Sequence, residues 1–288
     1  MAPRNGGNRS LNYTNERNAP RRPARMSDMS APLHVHHFGP PDGPPILAVH
    51  GVTGHGGRWR AMAKTELPHA RVIAPDLRGH GHSPYRPPWT IEQHVADLVA
   101  VLDAAGVPRV VVLGHSFGGA IGVHLARTVP QRVSALVLLD PAIGIDPARA
   151  QESAEDSCTP DRWDDTAAAT ADKARAWDGV PQALVDAEVA EHLARQPDGR
   201  WAWRTYAPAV VTAWNEMSRP FVVPPPGIPT VFVPASRVQP PFVSAAFRAA
   251  LAAELGDHLT VHPLDCAHMV PQLFPAQVGT LLRPLLER

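Results

Sequence analysis

A serine with a glycine two positions before it and another two positions after it is the position in this sequence best suited to nucleophilic chemistry. Gly114-His115-Ser116-Phe117-Gly118 has the pattern G-x-S-x-G, in which a serine ends a buried strand and a helix begins directly after it. Arg109–His115 is an apolar run and Phe117–Val129 has helical spacing, so both elements are predicted here. A turn this tight strains the serine backbone and requires small residues at the two glycine positions of the motif, where larger side chains would collide. We therefore interpret Ser116 as a nucleophile, the alternative being an idle serine in a glycine-rich turn.

The elements around this turn alternate between apolar runs and helical patterns, which is typical of a mostly parallel sheet covered by helices. Further strands are predicted at Leu33–Phe38, Ile46–His50, Val72–Asp76, Val133–Asp140, Thr230–Val233 and Leu259–Leu264. Further helices are predicted at Thr90–Ala105, Pro241–Leu255 and Pro275–Leu286. Between about residues 141 and 220 no clear strand is visible, and most of the tryptophans occur there. This segment is predicted to be a helical insertion.

Composition excludes several classes of protein. The 288 residues are 44% hydrophobic and 19% charged, enough to bury a sizeable core. The 27 basic residues balance the 27 acidic ones, which argues against a nucleic-acid partner. The sequence contains no apolar run long enough to span a membrane. Cys158 and Cys266 are predicted to be reduced in a cytoplasmic bacterial protein, a single bridge between them being the alternative.

Residues 1–30 differ from the rest of the chain, because they contain six arginines and few apolar residues. A disordered N-terminal tail is predicted, since so few apolar side chains cannot form a core. No apolar stretch follows the charges, so this is not a secretory signal. A nucleic-acid or membrane-binding arm is the alternative, and Met26 or Met29 as the true start would make the tail an upstream extension.

Four motifs in order carry a resemblance to a known family. They are H-G-V-T-G at 50–54, D-L-R-G-H-G-H-S at 76–83, G-H-S-F-G-G at 114–119 and C-A-H-M-V-P at 266–271. With them the chain resembles the α/β-hydrolase superfamily over about residues 33–288, and within it the carboxylesterase, haloperoxidase and C–C hydrolase group. The resemblance implies an α/β-hydrolase core at 31–140 and 221–288, with a helical cap at 141–220 inserted after the sixth strand.

The resemblance also implies the partners of Ser116. His268, shortly after the last predicted strand, is the expected base, which takes the hydroxyl proton and returns it to the leaving group. The backbone amides of Val52 and Phe117 are the expected oxyanion hole. His115 is expected to pack beside the nucleophile. In the D-L-R-G-H-G-H-S segment, His80 and His82 shape the active-site rim and Asp76 anchors its loop.

The expected acid departs from the family pattern. Most relatives carry it after the seventh strand, yet residues 229–240 contain no carboxylate. Some members, including certain haloalkane dehalogenases, place it after the sixth strand, where this chain has Asp140. Asp140 is therefore the predicted acid that orients His268. Asp265, Glu216 and the lack of any acid are the alternatives, and Asp140 capping the entrance to the insertion is another.

The predicted function is that of a serine hydrolase that cleaves carboxylic esters through an acyl-enzyme, with a small-molecule ester or acyl substrate. The alternatives are a C–C bond hydrolase, a lactonase or a perhydrolase with the same residues, or a non-catalytic ligand-binding protein of this fold. Trp201, Trp203 and their arginine neighbours either contact the substrate or pack the cap. No cofactor is predicted. No metal is predicted either, because His34-His36-His37 is a strand run without supporting carboxylates.

Overall fold

The computed structural model describes residues 32–287 of the chain. The predicted disordered tail at residues 1–30 lies outside the described residues. Among those that are described, no helix is both long and apolar enough to cross a membrane.

A seven-stranded, mostly parallel sheet forms the centre of the described part of the chain. The strands along the chain are β1 (Val35–Phe38), β2 (Pro45–Val49), β3 (Arg71–Pro75), β4 (Val110–His115), β5 (Val133–Leu139), β6 (Leu193–Arg195), β7 (Trp201–Trp203), β8 (Thr230–Val233) and β9 (Leu259–Val261). The order in the sheet is β1-β3-β2-β4-β5-β8-β9. Only the pairing of β1 with β3 is antiparallel in this sheet. The carboxyl ends of the parallel strands therefore meet at one edge.

The described residues also form ten α-helices. They are α1 (Arg60–Glu66), α2 (Ile91–Ala104), α3 (Phe117–Thr128), α4 (Pro147–Ser157), α5 (Thr166–Ala176), α6 (Gln182–His192), α7 (Ala207–Met217), α8 (Ala245–Leu255), α9 (Val270–Leu273) and α10 (Pro275–Leu286). The α2 boundaries follow from local chemistry, because Thr90 accepts a hydrogen bond from the Gln93 amide at 3.3 Å and Gly106 has a φ of 64°, as N-caps and helix ends require.

The sheet buries both of its faces, and alternate residues of one strand divide between them. Leu47 and Val49 of β2 belong to the apolar cluster that α2, α3 and α8 complete. Ile46 and Ala48 belong to a second cluster, completed by α1, α9 and α10. The result is a three-layer arrangement of helices, sheet and helices. Packing on both faces fixes the position of each strand end relative to the neighbouring strands.

The segment between β5 and β8 is mainly helical, yet the expectation that it lacks strands was wrong. β6 and β7 form an antiparallel pair, with Leu193 opposite Trp203. A turn at Pro197-Asp198-Gly199 joins them, and Gly199 adopts a φ of 85° that favours glycine. The strand that ends before Asp140, sixth in the family count, is the fifth strand described here. The division of the chain into core and cap stays a prediction.

Other elements are shorter than predicted, among them β1, which begins at Val35 and not at Leu33. The last strand ends at Val261 and not at Leu264. The helix expected from Pro241 begins at Ala245, because Ser244 accepts a hydrogen bond from the Phe247 amide and caps it.

The close packing of α3 on β2 yields a prediction about two glycines of the same helix. A Cβ at Gly118 would lie 2.2 Å from the Val49 carbonyl oxygen, which is backbone, whereas a Cβ at Gly122 would meet only methyl groups of Leu136 and Val112 at 3.2 Å. Gly118→Ala should therefore lower the free energy of unfolding by about 3 kcal/mol. Gly122→Ala should stay within about 1 kcal/mol of the parent, because alanine favours the helix. Urea denaturation measures both, and equal losses would contradict this packing argument.

Candidate active site

Ser116 lies in the turn between β4 and α3, with its backbone at φ 54° and ψ −121°. The turn is crowded on both sides. A Cβ at Gly114 would lie 2.5 Å from the Gly118 carbonyl oxygen, and a Cβ at Gly119 would lie 2.6 Å from the Pro141 Cβ. Side chains at these positions would collide, so the glycines of the motif are what allow the left-handed serine.

The backbone of Ser116 is also tied to the end of β5. Its amide donates to the Leu139 carbonyl oxygen at 3.1 Å, and its own carbonyl accepts from the Ala142 amide at 3.1 Å. These two bonds flank Asp140 on either side. The serine and the aspartate are therefore held in one hydrogen-bonded unit, although they follow different strands, β4 and β5.

The loop after β2 approaches the serine from the other side. A Cβ at Gly51 would lie 2.8 Å from the Ser116 Cβ and 3.3 Å from its Oγ. His50 Nε2 accepts from the Leu77 amide at 2.9 Å, so its Nδ1 carries the proton that it donates to the Gly51 carbonyl oxygen at 2.7 Å. Burial, with the nearby His80, holds the pKa of His50 well below its ordinary value. The neutral ring of His50 positions this loop.

The two expected oxyanion donors have free amides. Within residues 32–287, neither the Val52 nor the Phe117 amide donates a hydrogen bond to another protein group. Phe117 is the first residue of α3, where unpaired amides carry the positive end of the helix dipole. Val52 directly follows Gly51, which contacts Ser116. Both amides are thus available to a developing negative charge at the serine.

His268 forms a short hydrogen bond with Asp140, in which Nδ1 donates to Oδ2 at 2.6 Å. The other carboxylate oxygen of Asp140 accepts from the Ala235 amide at 3.0 Å. Ala235 lies just after β8, the strand that carries the acid in most relatives. In this chain the segment after β8 supplies a backbone amide instead, and this amide donates a hydrogen bond to the carboxylate that follows β5.

The other two candidate acids are engaged elsewhere. Asp265 is exposed and pairs with Arg237 at 2.8 Å. Glu216 accepts from the Ile91 amide at 3.0 Å and from Arg219 at 2.7 Å, so it closes the first turn of α2. Among the carboxylates in the described residues, Asp140 is the one bonded to His268.

His115 connects the serine to the histidine. Its Nε2 donates to the His268 carbonyl oxygen at 2.8 Å, and the two rings lie 4.6 Å apart. Burial, with His268 beside it, holds the pKa of His115 well below its ordinary value. Within residues 32–287, the Ser116 hydroxyl makes no hydrogen bond with the His268 ring, and such contacts are often long before substrate binds.

Asp76 anchors the loop at residues 76–83, as expected, and the place of this loop at the active-site rim stays a prediction. Asp76 is fully buried, and its carboxylate accepts from the amides of Gly56 at 2.7 Å and His82 at 2.8 Å. Burial alone would raise the pKa of Asp76, but the hydrogen bonds from His36, His82 and Gly56 hold it below the usual range. The view that the histidine run of β1 lacks a supporting carboxylate was wrong, because His36 Nε2 lies 3.2 Å from Asp76 Oδ1.

A buried ionic group that sequence reasoning missed joins the segment after β2, at residues 50–59, to α6. Glu188 accepts from His55 at 2.9 Å and from two nitrogens of Arg58 at 2.9 and 2.6 Å. The His55 ring stacks on that of His192 with centroids 4.5 Å apart. Burial would raise the pKa of Glu188, yet Arg58 and His55 hold it well below its ordinary value. The pairing ties the inserted segment to the loop that carries Val52.

The tryptophans of β7 pack within the inserted segment. Trp203 lies 5.4 Å from Trp163 and 6.1 Å from His192 between ring centroids, and the Lys173 ammonium lies 4.2 Å from the Trp203 centroid. Arg200 pairs with Asp198 at 3.2 Å. These contacts favour packing over a direct role in holding substrate. Both cysteines are free, Cys158 exposed and Cys266 buried.

Comparison with known proteins identifies a family and several relatives. Residues 44–202 match the family model described as alpha/beta hydrolase fold. The chain is 45% identical over 255 residues to Lipase LipV of Mycobacterium tuberculosis, covering 88% of this chain and 97% of the relative. It is 39% identical over 109 residues to 2-hydroxy-6-oxo-2,4-heptadienoate hydrolase of Pseudomonas putida, covering 36% of this chain and 39% of the relative.

Solved structures share the fold at lower identity. E-2-(acetamidomethylene)succinate hydrolase superposes with a TM-score of 0.75 at 20% identity, covering 89% of this chain and 95% of that one. A marine microorganism esterase superposes with a TM-score of 0.71 at 20% identity, covering 89% of this chain and all of the other. The predicted fold is therefore confirmed.

The Glu188 group predicts a difference in acid stability. Because the pKa of folded Glu188 lies below its ordinary value of 4.5, its contribution is complete above about pH 4.5 and is lost as the pH falls through the lower folded pKa. Glu188→Gln should cost about 3 kcal/mol at neutral pH, since Arg58 then stays buried without its partner. The variant should also lose less stability than the parent as the pH falls.

The matched control is Glu191→Gln on the same helix, whose exposed pair with Arg60 spans 3.2 Å and should contribute less than about 1 kcal/mol. Urea denaturation between pH 7 and pH 3 measures both variants. If the two variants lose stability equally and show the same pH dependence, Glu188 does not carry the ionic group.

Proposed function

The chain belongs to the α/β-hydrolase family, and from this premise we propose that it is a serine hydrolase that cleaves carboxylic esters through an acyl-enzyme intermediate. The observation that carries the proposal is the 2.6 Å hydrogen bond between His268 and Asp140, beside a serine in a left-handed turn. A nucleophile, a base and a carboxylate that orients the base are the three groups that this chemistry requires.

In the first half of the proposed reaction, the Ser116 oxygen attacks the ester carbonyl carbon and His268 Nε2 takes the hydroxyl proton. Asp140 accepts a hydrogen bond from the Nδ1–H group throughout, so the proton stays on Nδ1, Nε2 is free to act as the base, and the imidazolium that forms is stabilised. The carbonyl oxygen becomes an oxyanion, which the Val52 and Phe117 amides stabilise. The loss of one such donor typically costs about 3 kcal/mol in the barrier.

The tetrahedral intermediate then collapses. The bond from carbon to the alcohol oxygen breaks, and His268 donates its proton to the leaving alcohol. In the second half, a water molecule gives a proton to His268, and the water oxygen attacks the carbonyl carbon of the acyl group on Ser116. The same two amides stabilise the second oxyanion, and the carboxylic acid leaves as Ser116 regains its proton. Atoms balance as one ester and one water giving one alcohol and one acid.

The relatives support ester cleavage ahead of the alternatives. The extended match is to a protein named a lipase, which supports an ester substrate and acyl transfer. The relative named 2-hydroxy-6-oxo-2,4-heptadienoate hydrolase shares only about a third of the chain, so C–C bond hydrolysis is second. The missing acid after β8 is the reason to consider a purely ligand-binding role, and the Asp140–His268 hydrogen bond supports catalysis ahead of it.

The experiment is a panel of p-nitrophenyl esters, from acetate through butyrate to octanoate, followed by release of nitrophenol. We expect turnover of at least the short-chain members, since the proposed machinery acts on the ester group common to all. A folded protein that hydrolyses none of them would contradict the ester proposal.

Exchange of the acid tests the assignment of roles. Asp140→Asn should lower kcat for the best ester by about 10³–10⁴-fold while circular dichroism shows an unchanged fold, because an amide no longer fixes the His268 tautomer. Asp265→Asn is the matched control, and its kcat should equal that of the parent because Asp265 pairs with Arg237 in solvent. A large loss in the control with normal kcat in Asp140→Asn would move the acid role to Asp265.

A further inference from the structure

Two histidines and one aspartate meet at the edge of the sheet. His34 directly precedes β1, and because side chains alternate along a strand it shares a face with His36. β1 pairs with β3 so that His36 lies opposite Ala74, and the Asp76 amide donates to the His34 carbonyl oxygen at 2.8 Å. Backbone pairing therefore fixes all three residues relative to one another.

The spacing of their ligand atoms suits a metal ion. One ring nitrogen of each histidine and one carboxylate oxygen of Asp76 all lie within 4.8 Å of one another. His36 Nε2 and Asp76 Oδ1 are 3.2 Å apart. A tetrahedral zinc ion with bonds of about 2.0–2.1 Å separates its ligand atoms by about 3.3 Å. This pair already has that separation, and the exposed His34 ring can close the remaining gap by rotation.

The carboxylate is prepared for such a role. The amides of Gly56 and His82 donate to its two oxygens, which orients it in the way that outer hydrogen bonds orient metal-ligating carboxylates. These two bonds leave further lone pairs on Asp76.

We propose that His34, His36 and Asp76 bind a divalent transition-metal ion of the zinc type, with water completing its coordination. Two imidazoles and one carboxylate form a donor set that zinc and related ions accept. The His82 ring lies near this group, 5.2 Å from the His34 ring between centroids. The bound ion links β1 to the loops that Asp76 holds through Gly56 and His82. It acts as a stabilising link and takes no part in the proposed ester chemistry.

The test uses the full-length untagged protein, treated with a chelator, dialysed and titrated with zinc chloride by calorimetry. We expect one ion per chain. Since a ligand that binds only the folded state stabilises it, thermal denaturation at saturating zinc should show a rise in Tm of about 5 °C. An absence of saturable binding would overturn the proposal, whether or not the protein hydrolyses esters.

Three variants locate the ion. His34→Ala and His36→Ala should each weaken zinc binding by about 100-fold or more, while His37→Ala, on the opposite face of β1, should bind zinc as the parent does. His36 also bonds to Asp76, so its variant could lose structure, but His34 makes no such bond and its variant tests the site independently. Unchanged affinity in His34→Ala, or loss of binding in His37→Ala, would overturn the assignment.

Discussion

The left-handed backbone of Ser116 is the constraint on which the candidate site depends. A non-glycine residue in this region costs about 1–3 kcal/mol and persists only where its surroundings impose it. Here the surroundings are Gly114, Gly118 and Gly119. A Cβ on any of these glycines would collide with backbone or proline atoms. The strain holds one hydroxyl beside the Gly51 loop at the edge where the parallel strands end.

The same edge explains why the acid can follow β5 in this chain and β8 in most relatives. Asp140 also has a positive φ, 38°, and its backbone is bonded to the end of β8 through the Val233 carbonyl oxygen at 2.7 Å. Adjacent parallel strands bring their carboxyl ends close together, so an acid after β5 and one after β8 reach the same histidine. The chemistry requires the hydrogen bond to Nδ1 and does not prescribe the strand that provides it.

The sequence was most informative where local chemistry decides the structure. The apolar run of β4 directly before Gly114, and the Thr90 cap of α2, identify their elements without tertiary information. The turn signal at Pro197-Asp198-Gly199 was present too, with alternating side chains in Trp201–Trp203 after it. These strands are hard to predict because each is only three residues long and both lie among helices.

Contacts between distant segments could not be read in this way. Glu188 and His55 are 133 residues apart, and Glu188 resembles its neighbours Asp186 and Glu191 until the fold buries it. The partner of His36 is 40 residues away and had already been assigned to the rim loop. In both cases the sequence shows residue types that can pair, but it does not show which of them the fold brings close together.

The identity of the nucleophile is the central claim, and covalent labelling tests it most directly. The folded protein is incubated with a fluorophosphonate, digested and analysed by peptide mass spectrometry. The account predicts one phosphonyl adduct, on Ser116, and none in the folded Ser116→Ala variant. An adduct on another residue, or equal labelling of the variant, would contradict it.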